Sequence, residues 1–340
     1  MRVTEQLNEL WTLVDRDAGA ASGWYQRRMP GSGEWGAHAS ILKPGRKRAI
    51  ILEADSNLLS RHRIADETKG FIISVTPDDS GRSDRSLIRI LETEASNREI
   101  FTIFCADLVR HWLAQKEHRK ALSELEKHLL RWKKFFQRDL RQGLSREDYI
   151  GLFGELSFLE AALASCGDAL RVVGSWSGPQ GTNQDFLFGP KAVEVKTSTG
   201  NDQDTVTIAN ARQLDSTGLD HLYLAHYVFD FRQGSGRTLV QLVGVLRSGI
   251  AVISAEAAAI FEERLIEAGY LDDAVGRFKE WGLTPRSFAA YSVDDHFPRI
   301  LETAIPSGIS DVSYSLNLAT AEACRLPADE LWQLIDLANE

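Results

Sequence analysis

The stretch "DFLFGPKAVEVKTST", Asp185 to Thr199, constrains the fold of this chain more than any other segment. Two runs rich in Phe, Leu and Val flank Gly189 and Pro190, and a hairpin with those two residues as its loop is the simplest reading. Phe188 then pairs with Lys191, and counting back sets Asp185 opposite Glu194. Successive side chains alternate across a strand, so Phe186, Val193 and Val195 take one face while Glu194 and Lys196 take the other. One face suits a core and the other is ionic. The hairpin therefore belongs to a sheet whose second face does chemistry or carries a ladder of surface charges.

The rest of the chain supplies the sheet. Ser145 and Asp148 form an S-x-x-D start signal for a helix over about 146–165, "DYIGLFGELSFLEAALAS". The runs "LRVVGSW", "QDFLF", "AVEVKTST", "HLYLAHYVFDF" and "TLVQLVGVL" read as strands, with a short helix near Ala209 to Leu214. Upstream, a short amphipathic helix precedes the β-like runs "RAIILEAD", "GFIISVTP" and "SLIRILETE". Leu122, Leu125, Leu129, Trp132, Phe136 and Leu140 then recur at helical spacing. Past residue 250, "SAEAAAIFEERLIEAG" reads as a helix capped by Ser254 and stopped by Gly269. Four sections follow: a strand-rich domain over 1–105, a basic amphipathic helical segment over 106–144, a helix-plus-sheet core over 145–250 and a mixed helix and strand region over 251–340. The fold class is α/β or α+β.

Charge is distributed unevenly. The 340 residues carry a formal charge of −9, which ordinarily counts against a nucleic-acid binder. Yet 110–141 holds ten Lys or Arg against the four acids Glu117, Glu124, Glu126 and Asp139, a local balance of +6. Lys127, Arg131, Lys133, Lys134, Arg138 and Arg141 flank the apolar stripe there and are candidates to line a nucleic-acid channel or to form a solvated helix face. The three cysteines are widely spaced and lack a CxxC pair, which argues against a disulfide framework and a zinc site and fits a reducing cytoplasm. No positively charged start with an apolar run and no eighteen-residue apolar stretch is present, so neither a signal peptide nor a membrane span is expected.

Two carboxylates opposed across paired strands lie about 5 Å apart and repel unless a proton or a cation sits between them. A divalent metal resolves the conflict, since Mg²⁺ is held by one or two carboxylates and completes its octahedron with waters and phosphate oxygens. Lys196 brings a positive charge to the same spot, where it can stabilise transition-state charge or help deprotonate water. Glu155, on the apolar side of the 146–165 helix beside Gly151 and Gly154, is an acid in an unusual place. It is either part of that site or half of a buried ion pair. His221 and His226 are five apart on one strand, hence on opposite faces, and read as ordinary strand residues. Trp176 reads as an anchor of the loop before Asp185, with stacking on a base as the alternative, and "GSGRT" at 234–238 as a turn.

D185-x8-E194-V195-K196 after a helix bearing Glu155 resembles the PD-(D/E)XK nuclease superfamily. "GLFGELSFLE", "WSGPQGTNQDFLF", "VEVKTST" and "IANARQL" are similar to bacterial PD-(D/E)XK motif proteins found with restriction-like defence genes. The resemblance implies a restriction-endonuclease-like mixed sheet flanked by helices. It further implies Asp185 and Glu194 as metal ligands together with the Val195 carbonyl, Lys196 as the catalytic lysine, Glu155 as the auxiliary acid and Gln213 near substrate. The Pro of the motif name is replaced here by Gln184. The function expected is Mg²⁺-dependent hydrolysis of DNA, with Mn²⁺ as substitute, in a restriction or phage-defence setting that brings other proteins and a homodimer into view. The alternative is a catalytically silent DNA-binding or assembly module built on the same fold. Lys133, Lys134, Arg138 and Arg141 are the further candidate substrate contacts.

Overall fold

The computed structural model describes residues 3–335 other than 20, 63, 69, 79–82, 96–97, 137–143, 201–202, 273–277, 311 and 328, and not the side chain of Lys134. Arg138 and Arg141 thus lie outside the described residues. The chain divides into two compact units, Met1–Arg141 and Gln142–Glu340. Among the described residues no helix is long and apolar enough to cross a membrane.

In the first unit, helix α1 (Val3–Asp17) buries Leu7, Trp11 and Val14, which recur on one face. The Trp11 indole N–H donates to the Ala49 carbonyl at 2.9 Å and ties that face to the sheet. The strands are β1 (Gly23–Arg28), β2 (Ala37–Lys43) and β3 (Lys47–Asp55), then, after the short helix α2 (Ser56–Leu59), β4 (Asp66–Glu67), β5 (Phe71–Pro77) and β6 (Arg85–Glu92). They form an antiparallel sheet in the order β1-β2-β3-β6-β5-β4. Helices α3 (Arg98–Ala114) and α4 (His118–Phe136) complete the unit. The stripe Leu122, Leu125, Leu129, Trp132 and Phe136 is buried, as its spacing predicts, and Leu140 lies outside the described residues. The helical region begins at Arg98, so "FTIFCADLV" is helix although its β-branched residues and aromatics sit next to strands in sequence. Phe71, Phe104, Trp132 and Phe136 meet in one aromatic cluster, with Phe71 and Phe104 stacked at 4.6 Å.

The second unit opens with α5 (Arg146–Ser165), whose first turn is capped as expected: the Ser145 hydroxyl accepts from the Asp148 N–H at 3.0 Å. "LRVVGSW", expected as a strand, is instead helix α6 (Ala169–Ser175). The Asp168 carboxylate caps it by accepting from the Arg171 N–H, and Ala169, Val172 and Val173 fall on one buried face. Strands β7 (Phe186–Phe188), β8 (Lys191–Thr199), β9 (Thr205–Ile208), β10 (His221–Gln233) and β11 (Arg237–Thr238) follow. "TLVQLVGVL" is the second misread segment. It begins helix α7 (Leu239–Ile253), because Thr238 and Gln241 form a reciprocal capping box and Leu239, Leu242, Val243, Leu246 and Ile250 keep a helical period. Helix α8 (Ala255–Glu267) has the expected cap, Ser254 accepting from Ala257 N–H, and ends before Gly269 at φ 85°. Strands β12 (Trp281–Ser292), β13 (Tyr314–Asn317) and β14 (Arg325–Leu326) and helix α9 (Glu330–Ile335) close the chain.

The main sheet runs β11-β12-β10-β8-β7, with β14 also on β12, and β9 pairs with β13 in a separate ribbon. β7 and β8 are antiparallel in the expected register, Phe188 against Lys191 and Phe186 against Val193, while β8 and β10 run parallel. Val193, Val195 and Phe229 pack with α5, α7 and α8 on one face, and Ala192, Leu222 and Leu224 pack with the β9–β13 ribbon on the other. The unit is thus a mixed sheet flanked by helices, the α+β nuclease-like architecture that the resemblance implies.

Candidate active site

Strand β7 is three residues long and meets β8 over Lys191–Val193, so beyond Val193 the edge of β8 lacks a ladder partner from β7. Asp185 takes over: its Oδ2 accepts the Val195 N–H at 2.8 Å, a side chain completing the backbone bonding of the strand. The loop before it is pinned in turn, since the Ser177 and Gly178 N–H groups donate to the Asp185 carbonyl at 2.8 and 2.9 Å. A Cβ on Gly178 would lie 2.8 Å from Asp185 Oδ1, so glycine there leaves that oxygen approachable.

Glu194 projects from the middle of β8 with its side chain 1% exposed. Its Oε1 accepts from Lys196 Nζ at 2.9 Å and from Gln213 Nε2 at 2.7 Å, whereas Oε2 is buried without a hydrogen-bond partner among the described residues. Gln213 Oε1 accepts from Lys196 Nζ at 3.1 Å and from the Ala209 N–H at 2.8 Å. Gln213 stands in the 3₁₀ turn Ala211–Leu214 and locks Glu194, Lys196 and its own backbone into one network. Glu155 on α5 completes the cluster, and its Oε2 accepts the Trp176 indole N–H at 2.8 Å. Trp176 is fully buried and packs on Phe261, so it orients Glu155 rather than offering a stacking surface. The partner of Glu155 is thus an indole, not an arginine.

Electrostatics mark the cluster as short of positive charge. Burial, then the Asp185 charge, pushes the Glu194 carboxyl up to about 8. Burial followed by Asp185 also raises Glu155, and burial raises Asp185 against the opposing pull of the Val195 N–H and Lys196. Burial works against the charged Lys196, but Glu194 outweighs it and raises the ammonium. One lysine does not neutralise three carboxylates. A divalent cation fits this donor set: Glu194 Oε2 has no hydrogen-bond partner among the described residues, Asp185 Oδ1 is left approachable by Gly178, and hard oxygen ligands suit Mg²⁺ or Mn²⁺.

Of the residues expected at the site, Asp185, Glu194, Val195, Lys196, Glu155 and Gln213 come together in the second unit. Lys133 lies on α4 in the first, paired with Asp66 at 2.5 Å. The family model described as "Putative PD-(D/E)XK family member, (DUF4420)" matches residues 7–319. The chain belongs to this family. Neither a curated protein nor a solved structure matches it. PD-(D/E)XK membership suggests nuclease-type activity, for which divalent metals are usual, and the cluster around Glu194 brings together the acids and the lysine that the sequence resemblance singles out.

The structure gives a purpose to the departure at Gln184, where the PD-(D/E)XK motif has Pro. Gln184 is buried, and its Nε2 donates to the carbonyls of Arg212, Asp215 and Gln213 at 2.9, 3.3 and 3.5 Å. Gln184 thus clamps the turn that carries Gln213, a role invisible in sequence because its partners are backbone carbonyls some thirty positions away. An open groove of about 910 Å³ begins beside this clamp, lined by Thr182, Asn183, Arg212, Thr217 and Glu302 among others. His221 and His226 lie on β10 as ordinary strand residues, His226 buried with Nε2 2.9 Å from Ser198 Oγ.

Proposed function

We propose that the protein is a Mg²⁺-dependent deoxyribonuclease, an endonuclease of a restriction or phage-defence system acting in the cytoplasm. The observation that carries this reading is the buried, unpartnered Glu194 Oε2 beside Asp185 and Lys196, a cation-deficient oxygen set at the end of a motif whose chemistry is phosphodiester hydrolysis. Asp185, Glu194 and the Val195 carbonyl would hold the cation, with Glu155 as auxiliary acid. A divalent ion held there would supply positive charge at a phosphate oxygen and ease loss of a proton from water to give the hydroxide nucleophile. Lys196, oriented between Glu194 and Gln213, offers its ammonium to the charge that develops on the phosphate. The groove past Gln184 suits the strand flanking the scissile bond, and its Arg212 is paired with Glu302 at 2.7 Å until a phosphate replaces that carboxylate. The three cysteines are free and buried, which suits a reducing compartment.

The test is incubation of the full chain with supercoiled and linear DNA in Mg²⁺, Mn²⁺ or chelator, beside Lys196→Ala. Nicking or linearisation by the parent protein alone is expected, with Lys196→Ala at least about 100-fold slower while its unfolding midpoint stays close to that of the parent. Cleavage by Lys196→Ala at the parental rate would remove the lysine from the mechanism. DNA binding insensitive to Asp185→Asn and without cleavage in any metal would favour the silent module.

A further inference from the structure

Away from the nuclease site, α3 and α4 bring together Asp107, His111 and His128, which offer three ligand atoms all within 4.8 Å of one another. Asp107 and His111 stand one turn apart on α3, and His128 faces them from α4. The imidazoles of His111 and His128 touch, with ring centroids 3.8 Å apart. Asp107 Oδ2 lies 2.8 Å from His128 Nδ1 and Oδ1 lies 3.3 Å from His111 Nδ1, while His111 Nδ1 also approaches the Asp107 carbonyl at 2.9 Å. The Trp132 indole N–H donates to Asp107 Oδ2 at 2.9 Å and fixes the carboxylate from outside the cluster. Glu124, one turn before His128, is an electrostatic neighbour of both imidazoles, and its Oε1 accepts from Lys127 Nζ at 2.7 Å.

We propose that this helix pair holds a borderline divalent cation of the Zn²⁺ class on Asp107, His111 and His128. Two imidazole nitrogens and one carboxylate oxygen, oriented by an outer donor such as Trp132, form the donor set such ions prefer. The chemistry also sets the class. Arg110 Nη2 lies 3.7 Å from Asp107 Oδ1 and Arg131 Nη1 lies 3.5 Å from His128 Nδ1, so a hard ion held by charge alone is disfavoured and one that bonds strongly to imidazole is not. His128 Nδ1 cannot both donate to Asp107 and accept from Arg131, so a purely proton-held network leaves one of these contacts unmade. The ion would staple α3 to α4 next to Trp132 and leaves the nuclease chemistry to the second unit.

The experiment uses the full chain carrying Asp185→Asn and Glu194→Gln, which removes the two carboxylates proposed to hold metal at the nuclease site and leaves Glu155. After loading with Zn²⁺ and removal of excess metal, about one ion per chain is expected to remain, and Co²⁺ in its place is expected to show the visible bands of a tetrahedral nitrogen-containing site. Adding His111→Gln, at a half-buried ring whose loss the helix tolerates, should weaken binding by at least about tenfold. No retained Zn²⁺ in the first protein overturns the proposal and leaves a proton-held Asp–His network. Retention unchanged by His111→Gln overturns it as well. The outcome is independent of whether the chain cuts DNA.

Discussion

Gln184 acts at the site without touching the proposed reacting atoms. Its amide N–H groups satisfy backbone carbonyls of the turn that carries Gln213, and Gln213 in turn bridges Glu194 and Lys196. In Gln184→Ala, part-buried carbonyls lose their donor, which costs about 1 kcal/mol of stability, and turnover is expected to fall roughly tenfold as Gln213 drifts. A positioning role makes a further statement. Gln184→Ala and Gln213→Ala combined should cost clearly less activity than the sum of the two, because both act through one network. Additive losses in a double-mutant cycle would mean that Gln184 serves only the fold. Asp185, Glu194 and Lys196 were legible in sequence because a two-residue loop fixes the register of every residue along the hairpin. Gln184, Trp176 and the unpartnered oxygen of Glu194 were not, since their partners come from separate elements and sequence spacing says nothing of them.

At the scale of elements, propensity misled where capping and period were decisive. The Val and Leu content of 170–173 and 239–246 suits strands, yet Asp168 and Thr238 are placed to cap, and the apolar residues repeat at three and four rather than at two. The packing of α5 on β8 depends on Gly154. A Cβ there would fall 2.1 Å from Thr197 Oγ1, itself buried without a partner, and 3.4 Å from Thr197 Cβ. Gly154→Ala is therefore expected to destabilise by about 1–3 kcal/mol despite the helical gain of alanine, and Thr197→Ala should restore most of the loss. If denaturant unfolding shows no rescue, the helix and strand are not in the close contact described. β8 and β10 are also linked by Ser198 and His226. Burial, partly offset by Asp204, lowers the buried His226 to about 4, against about 6.5 in the unfolded chain. The unfolded state then binds the extra proton first, so this contribution is intact above pH 6.5 and fades as pH falls towards 4, by up to about 3 kcal/mol. His226→Gln should flatten the fall in stability between those pH values; an unchanged profile would assign the acid sensitivity elsewhere.

At the scale of the whole molecule, net charge is a poor guide to what the chain does. The −9 total hides a basic segment, and much of that segment is internally compensated: Lys120 pairs with Glu117, Lys127 with Glu124 and Lys133 with Asp66. These exposed pairs are each worth little, and a phosphate backbone can displace them. In the second unit, by contrast, three buried carboxylates share one lysine among the described residues. An ion that binds the second unit should stabilise it by RT ln(1 + [L]/Kd). Amide exchange of the full chain in saturating Mg²⁺ against chelator is accordingly expected to slow over 151–159, 184–199 and 209–214, the segments that carry Glu155, Asp185, Glu194 and Gln213. It should leave α3 and α4 unchanged, because the Asp107 cluster offers imidazole to an ion that prefers oxygen. Asp185→Asn should abolish the slowing. Protection that appears instead across the first unit would place the Mg²⁺ site there and separate the acidic cluster of the second unit from metal binding altogether.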